Sequence, residues 1–350
     1  MIGVFSFLSL RYAQFVYKYT NILDEQTIPY ELIIWNRDEV EKPNRANWIF
    51  YDYPLNSFQP FYKKMRGFLS FSMYMRKMIK DRKYDKIIIL TTQTAIPLYD
   101  ILLGKYKNKY IYDYRDVTFE NVILYRILVN TLIRHSNFTA ISSKGFIDNL
   151  KPSMKFVMSH NTRDFKIRPI TKTSSDRIRV VFWGMIRQLE YNKKICDLFS
   201  KDNRFELIYH GEGYRCELES YCNQNNYNNI KFTGPYKLDD IGKFAIDTDL
   251  MLNCYENDKK QKPAMTVKFY DALQYGLPML VTKGSYMSEL VIENGIGFAV
   301  DFENNDNLEA VYQWIVSNRN VSDGVNAVAT QILADDAIFR EKLIEFCEKD

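Results

Sequence analysis

Short apolar runs recur along this chain at intervals that leave room for a helix between neighbours, and the series occurs twice. Ile87-Ile88-Ile89-Leu90 sets the sharpest constraint. An unbroken apolar run rich in β-branched side chains suits a strand covered on both faces, as in a parallel sheet with helices on either side. In the first half, strands are predicted at Ile2–Leu8, Tyr30–Trp35, Trp48–Tyr53, Lys86–Thr91, Lys109–Tyr114 and Phe138–Ser142, with helical patterns at 60–82, 94–104, 119–135 and 143–150. The polar stretch Arg163–Arg177, including Thr171-Lys-Thr-Ser-Ser175, interrupts the pattern and reads as an interdomain linker. Alternation then restarts with strands Ile178–Trp183, Phe205–His210, Ile230–Thr233, Leu250–Cys254, Met279–Thr282 and Gly297–Val300. Helices are expected between them at 191–200, 214–225, 267–275 and 286–293, and helix again from about 306 to the end. The fold class expected is α/β: two doubly wound, Rossmann-like domains facing a cleft, over residues 1–165 and 176–334. Ligands on such sheets sit at the carboxyl ends of the strands.

Composition narrows the setting. Hydrophobic residues make up 46% and charged residues 26%, the balance of a folded, soluble chain. No eighteen-residue apolar stretch exists to span a membrane. Ile2–Leu8 has no basic segment before it and is followed by Arg11, so no secretion signal is read. Cys196, Cys216, Cys222, Cys254 and Cys347 lack CxxC spacing and read as free cytosolic thiols, with no metal site. The expected location is cytoplasmic. Residues 1–175 carry 27 Lys+Arg against 15 Asp+Glu, a balance of +12, whereas the rest balances at −8. The first half therefore faces something anionic. Nucleic acid is set aside because the 26 tyrosines are scattered and form no stacking platform. Residues 61–86 interleave Lys63, Lys64, Arg66, Arg76 and Lys77 with apolar side chains. Such a segment docks on an anionic membrane surface, here the inner face of the cell membrane, or else is the wet face of a helix packed on its own sheet.

Several strand ends carry chemistry. Lys268-Phe-Tyr-Asp271 opens a helix near Thr266 that closes at Gly276. A helix amino terminus offers unpaired N–H groups to a phosphate, Lys268 adds a full charge, and Asp271 stands one turn later on the same face, suited to ribose hydroxyls. An exposed Lys–Asp pair is the plainer alternative. Phe182-Trp-Gly184-Met-Ile-Arg187 ends a strand in a turn where glycine admits close approach and Arg187 can clamp a diphosphate. Tyr209-His210-Gly211-Glu-Gly213 ends the next strand in glycines. In the first half, Tyr112-Asp113-Tyr-Arg115-Asp116 ends a strong strand in charged groups, and Ser142-Ser143 and His160-Asn161 end later ones.

In this order the motifs resemble the family-4 glycosyltransferases of the GT-B fold, over nearly the full length of the chain. The Lys268–Leu280 block resembles that family's lysine-plus-acid helix and Gly-x-Pro strand entry, and Asp113-Tyr-Arg-Asp116 resembles the D-x-R-D of bacterial members that build surface polysaccharides. The resemblance implies transfer of a sugar from a nucleotide-sugar donor to a glycan or lipid-linked acceptor, with retention, without a metal and without a bound cofactor. It implies a nucleotide-sugar domain at 176–334 and an acceptor-side domain at 1–165, joined by a last helix that crosses back from about residue 335. Donor contacts would come from Gly184, Arg187, His210, Gly211, Gly213, Lys268 and Asp271. Catalytic parts would fall to Asp113, Asp116, Arg187 and Lys268, and acceptor-side parts to Ser6, Arg115 and Asn161. Three departures stand out. Pro263 occupies the place of the family's first acid, Ser6-Phe-Leu-Ser9 replaces its common Gly-Gly pair, and its catalytic-side histidine has no evident counterpart. A non-catalytic GT-B partner protein and a sugar-nucleotide epimerase are the alternatives.

Overall fold

The apolar runs form two separate parallel sheets. The computed structural model describes residues 1–10, 13–37, 45–55, 59–162, 165–168, 170–302, 308–318 and 320–348. Its strands are β1 Ile2–Ser6, β2 Tyr30–Asn36, β3 Trp48–Asp52, β4 Lys86–Leu90, β5 Tyr110–Tyr114, β6 Thr139–Ile141 and β7 Phe156–Met158 in the first unit. The second unit holds β8 Ile178–Trp183, β9 Phe205–His210, β10 Ile230–Gly234, β11 Leu250–Asn253, β12 Met279–Thr282 and β13 Gly297–Val300. The sheet orders are β3-β2-β1-β4-β5-β6-β7 and β10-β9-β8-β11-β12-β13. Each is the doubly wound order, in which the chain reverses direction across the sheet beside its first strand. These switch points lie between β1 and β4 and between β8 and β11.

The units are Met1–Asp164 with Ala334–Asp350, and Phe165–Leu333. In the first, Val16, Tyr19 and Leu23 of helix Val16–Glu25 pack on one sheet face with Phe339, Leu343 and Phe346 of the last helix, Ser322–Glu348. That helix changes allegiance along its length, since Val325, Ala329 and Ile332 belong to the core of the second unit. Polar pairs fix its later half: Lys18 donates to Asp336, and His160 Nε2 lies 3.0 Å from Asp335 Oδ2.

Part of the stretch read as a linker belongs to the second unit. Phe165 is buried in its core, and the Arg168 N–H donates to the carbonyl of Gln274 at 2.6 Å. Arg179 holds Thr173, Asp247 and Asp249 together in one network. Polarity there reflects an ion-paired sheet end. Residues 163, 164 and 169 of that stretch lie outside the described residues. The helical pattern at 94–104 is broken into Thr92–Ala95, a tight turn at Ile96–Leu98 and Tyr99–Leu103, because Pro97 lacks an N–H and fixes its own φ. Residues 144–149 form a 3-10 helix.

Candidate functional site

At the switch point of the second sheet, β8 runs into Gly184 and β11 into a loop ending at helix Val267–Gln274. Thr266 caps that helix. Its Oγ1 accepts from the Phe269 N–H at 3.2 Å and donates to Asn253 Oδ1 at 2.9 Å, so the cap is anchored to the end of β11. Lys268 in the first turn therefore points back over β8. Its Nζ lies 4.6 Å from the centre of the Phe182 ring and 5.2 Å from that of Tyr255, whose hydroxyl accepts from it. A Cβ built on Gly184 would come within 3.0 Å of Lys268 Nζ. Glycine at 184 thus keeps open the space in front of the ammonium, and its φ of +129° lies where other residues are strained.

Asp271 stands one turn further on. Its Oδ2 accepts from Trp183 Nε1 at 2.9 Å. Burial pushes its carboxyl above the usual range, opposed by the Trp183 hydrogen bond and the charge of Lys268. Burial, followed by the charge of Asp271, pushes the nearby Tyr236 hydroxyl up to about 12. Arg187 is exposed on the turn after β8. That turn is fixed by Asn192 Nδ2, which donates to the Arg187 carbonyl at 2.6 Å. Next to it Gln188, at φ +56°, receives the Glu256 N–H on Oε1 at 3.1 Å, tying the turn to the loop after β11. The same end of that loop is tied down a second time by Thr282, whose Oγ1 exchanges hydrogen bonds with the Tyr255 backbone. Lys268, Arg187, Gly184 and Asp271 are thereby collected around one strand end.

The glycines after β9 lie against the exit of β8. A Cβ on Gly211 would lie 1.8 Å from the Gly184 carbonyl oxygen, and one on Gly213 would lie 2.3 Å from that of Ile186. The two strand exits run side by side: the Gly184 N–H donates to the His210 carbonyl at 2.9 Å and the Ile186 N–H to the Glu212 carbonyl at 2.7 Å. These glycines admit a neighbouring backbone. His210 is 8% exposed and stacks on Phe244 at 3.7 Å between ring centres, with Nδ1 2.6 Å from Thr233 Oγ1. Burial holds its pKa down to about 4, so the ring is neutral near pH 7.

In the first unit, three of the expected residues are buried and bonded within the fold. Asp113 in β5 is fully buried, accepts from the Tyr19 hydroxyl at 2.5 Å, and faces Arg115 Nε at 2.8 Å from Oδ1. Arg115 also donates to Ser159 Oγ at 2.8 Å and lies over the Phe15 ring at 3.9 Å. Asp113 and Arg115, expected in catalytic and acceptor-side parts, form a buried pair that fastens β5 to Tyr19 and to the chain after β7. Ser6, expected on the acceptor side, is buried, and its Oγ donates to the Leu8 carbonyl at 2.9 Å and closes the turn after β1. Asp116 is exposed and Asn161 half-buried, and both follow carboxyl ends of strands. Sequence reasoning missed Phe182, Trp183, Tyr255 and Gln188. The first two read in sequence only as the end of a strand, and the last two act through a loop whose path only the folded chain reveals.

No protein-family model matches the chain, and no curated protein is significantly similar in sequence. Its fold class is nevertheless that of solved GT-B glycosyltransferases, two Rossmann-like domains aligned over almost every residue. One similar structure is HepE from Anabaena, solved with UDP and glucose: 14% identity, 98% of each chain covered, TM-score 0.66. Another is sucrose-phosphate synthase from Thermosynechococcus elongatus, at 8% identity, 97% of each chain and TM-score 0.74. A third is the lipopolysaccharide outer core galactosyltransferase WaaB, at 10% identity, with 99% of this chain and 98% of that one covered and TM-score 0.68.

Proposed function

We propose that the protein is a glycosyltransferase that takes a sugar from a nucleotide-sugar donor to a glycan or lipid-linked acceptor of surface polysaccharide. One observation carries this reading: the Lys268 ammonium is held over Gly184 at the switch point of the second sheet, beside a capped helix amino terminus. That is the position and charge a diphosphate requires. HepE, which matches this fold, has also been solved with UDP-glucose.

On this reading Phe182 and Tyr255 orient Lys268 against one phosphate, and Arg187 closes on the other. Asp271, steadied by Trp183, accepts from ribose hydroxyls. As the bond to the departing diphosphate breaks, negative charge grows on its oxygens, and Lys268, Arg187 and the helix N–H groups stabilise it where it grows. These cations do the work a metal would otherwise do, and the nucleotide sugar is a substrate, so the reading requires no resident cofactor. As that bond breaks, the acceptor hydroxyl oxygen bonds to the sugar's anomeric carbon, its proton departs with the diphosphate, and the configuration is retained. In the first unit, Asp116 and Asn161 hold the acceptor. Turnover of a panel of nucleotide sugars tests the reading. Lys268→Ala lowers the rate about 100-fold or more, as for loss of one preorganised charge donor, and EDTA leaves the wild-type rate unchanged. Wild-type rates in both Lys268→Ala and Arg187→Ala remove the assignment. Pro263, buried where the family has its first acid, favours one second reading: a nucleotide-binding partner protein without catalysis, which binds nucleoside diphosphate but turns nothing over.

A further inference from the structure

Helix Phe61–Arg82 presents more than one apolar face. Gly67, Phe71, Met75, Met78 and Ile79 are buried against the first sheet, where Phe71 stacks on Trp35. Phe61, Leu69 and Met73 are left 76%, 55% and 66% exposed, and with Met65 they recur every four residues as a stripe along the first three turns. A second patch lies on Phe119 and on helix Ile123–His135, where Ile123 and Leu124 are 66% and 68% exposed and Ile127 is also exposed. Neither patch is needed by the core.

The topology brings the two patches to the same side of one edge. The connections from β3 to β4, β4 to β5 and β5 to β6 all run the same way across the sheet, so right-handed crossovers lay their helices on one face. The segment Thr92–Leu103 lies between the two helices and touches both. Both exposed patches occupy helix starts, and a helix that follows a parallel strand starts at the carboxyl edge of the sheet. That edge also carries Asp116.

Asp116 and the Arg76-paired Asp100 apart, the exposed charges beside the patches are positive. Lys63, Arg66, Lys77 and Arg126 are exposed beside them. From Phe61 to Lys80 the sequence contains no Asp or Glu. Glu120, the acid of the second patch, is buried and accepts from the Tyr114 hydroxyl at 2.8 Å. Asp100, between the helices, is held by Arg76, whose Nη1 donates to it at 3.0 Å. A second copy of this chain docked through the same face would set these cations against each other. Separated apolar side chains ringed by Lys and Arg match instead an interface of acyl chains beneath anionic headgroups.

We infer that this two-helix face of the first unit docks on an anionic lipid bilayer, its exposed Phe, Leu, Ile and Met side chains entering the headgroup–acyl boundary. The proposal is independent of the donor reading. Co-sedimentation of the full chain with vesicles tests it, using phosphatidylcholine alone and phosphatidylcholine mixed with phosphatidylglycerol. The chain binds the anionic vesicles at least about tenfold more tightly than the neutral ones, and added salt weakens binding. Leu69→Ser with Leu124→Ser lowers anionic binding about tenfold. Lys63→Glu, Arg66→Glu and Lys77→Glu together remove the preference for anionic vesicles. Because all these positions are exposed, the variants keep the wild-type melting temperature. Equal binding to both vesicle types, or unchanged binding in the variants, overturns the inference. So does a wild-type dimer in sedimentation velocity that the double serine variant disperses.

Discussion

His210 shows how a residue of catalytic type can serve packing. Its imidazole is sandwiched against Phe244 and bonded to Thr233, and burial holds its pKa down to about 4 from an ordinary 6.5. Below pH 6.5 the unfolded chain takes up a proton that the folded chain refuses, so stability falls as pH falls, until the folded ring also titrates near 4. Over the full window this amounts to about 3 kcal/mol. Asp113 and Asp271, both raised by burial, act oppositely: they hold protons more tightly when folded, and their contribution falls as pH rises through the raised values. The comparison must therefore be made against a variant. Denaturant unfolding at pH 7 and pH 5 should show wild type losing about 2 kcal/mol more than His210→Phe, which keeps the stack and lacks the titration. Equal losses would contradict the buried neutral assignment. In the sequence, His210 was legible only as a strand-end residue, because Phe244 comes from a helix that the hydrophobic pattern did not announce.

At the scale of elements, the site rests on two strand exits running in parallel without a side chain between them. Gly213→Ala places a methyl against the Ile186 carbonyl and forces a φ of +91° on alanine. The expected loss is about 2–4 kcal/mol, from strain and steric overlap together. Gly276 is the control, since its φ is +62° but no atom lies within 4 Å of an added Cβ. Gly276→Ala should cost only the backbone preference, about 1 kcal/mol. Thermal unfolding of the two variants checks the contrast, and equal losses would mean the exits do not need their close approach. Most strands were legible because a buried parallel strand must be apolar throughout. Helix Val16–Glu25 was not, since Lys18 and Thr20 are buried on it. Lys18 is paired with Asp336, 318 residues away, and no local pattern reveals such a partner. β7, with three residues, is too short to show alternation. The charged end of β5 was read correctly as polar, but its partner Ser159 was invisible in sequence.

At the scale of the whole molecule, the first unit is completed by the end of the chain. Phe339, Leu343 and Phe346 are buried in its core. Burial contributes about 1.5–3 kcal/mol for each such side chain, a sum comparable with the net stability of an ordinary domain. Deleting residues 334–350 should therefore open the first unit, and limited proteolysis should then cut within 1–162 under conditions that spare the full chain. Equal resistance would show that the last helix is dispensable there. The central claim concerns the second unit: that Lys268, set over Gly184 by Phe182 and Tyr255, makes the switch point of its sheet a diphosphate site. Calorimetric titration of the wild type and Lys268→Ala with UDP, GDP and ADP tests this most directly. The account predicts that at least one nucleoside diphosphate binds the wild type and that Lys268→Ala weakens it about tenfold or more, with no change in melting temperature beyond a few degrees. Binding of equal strength to both proteins, or to neither while both remain folded, would contradict it.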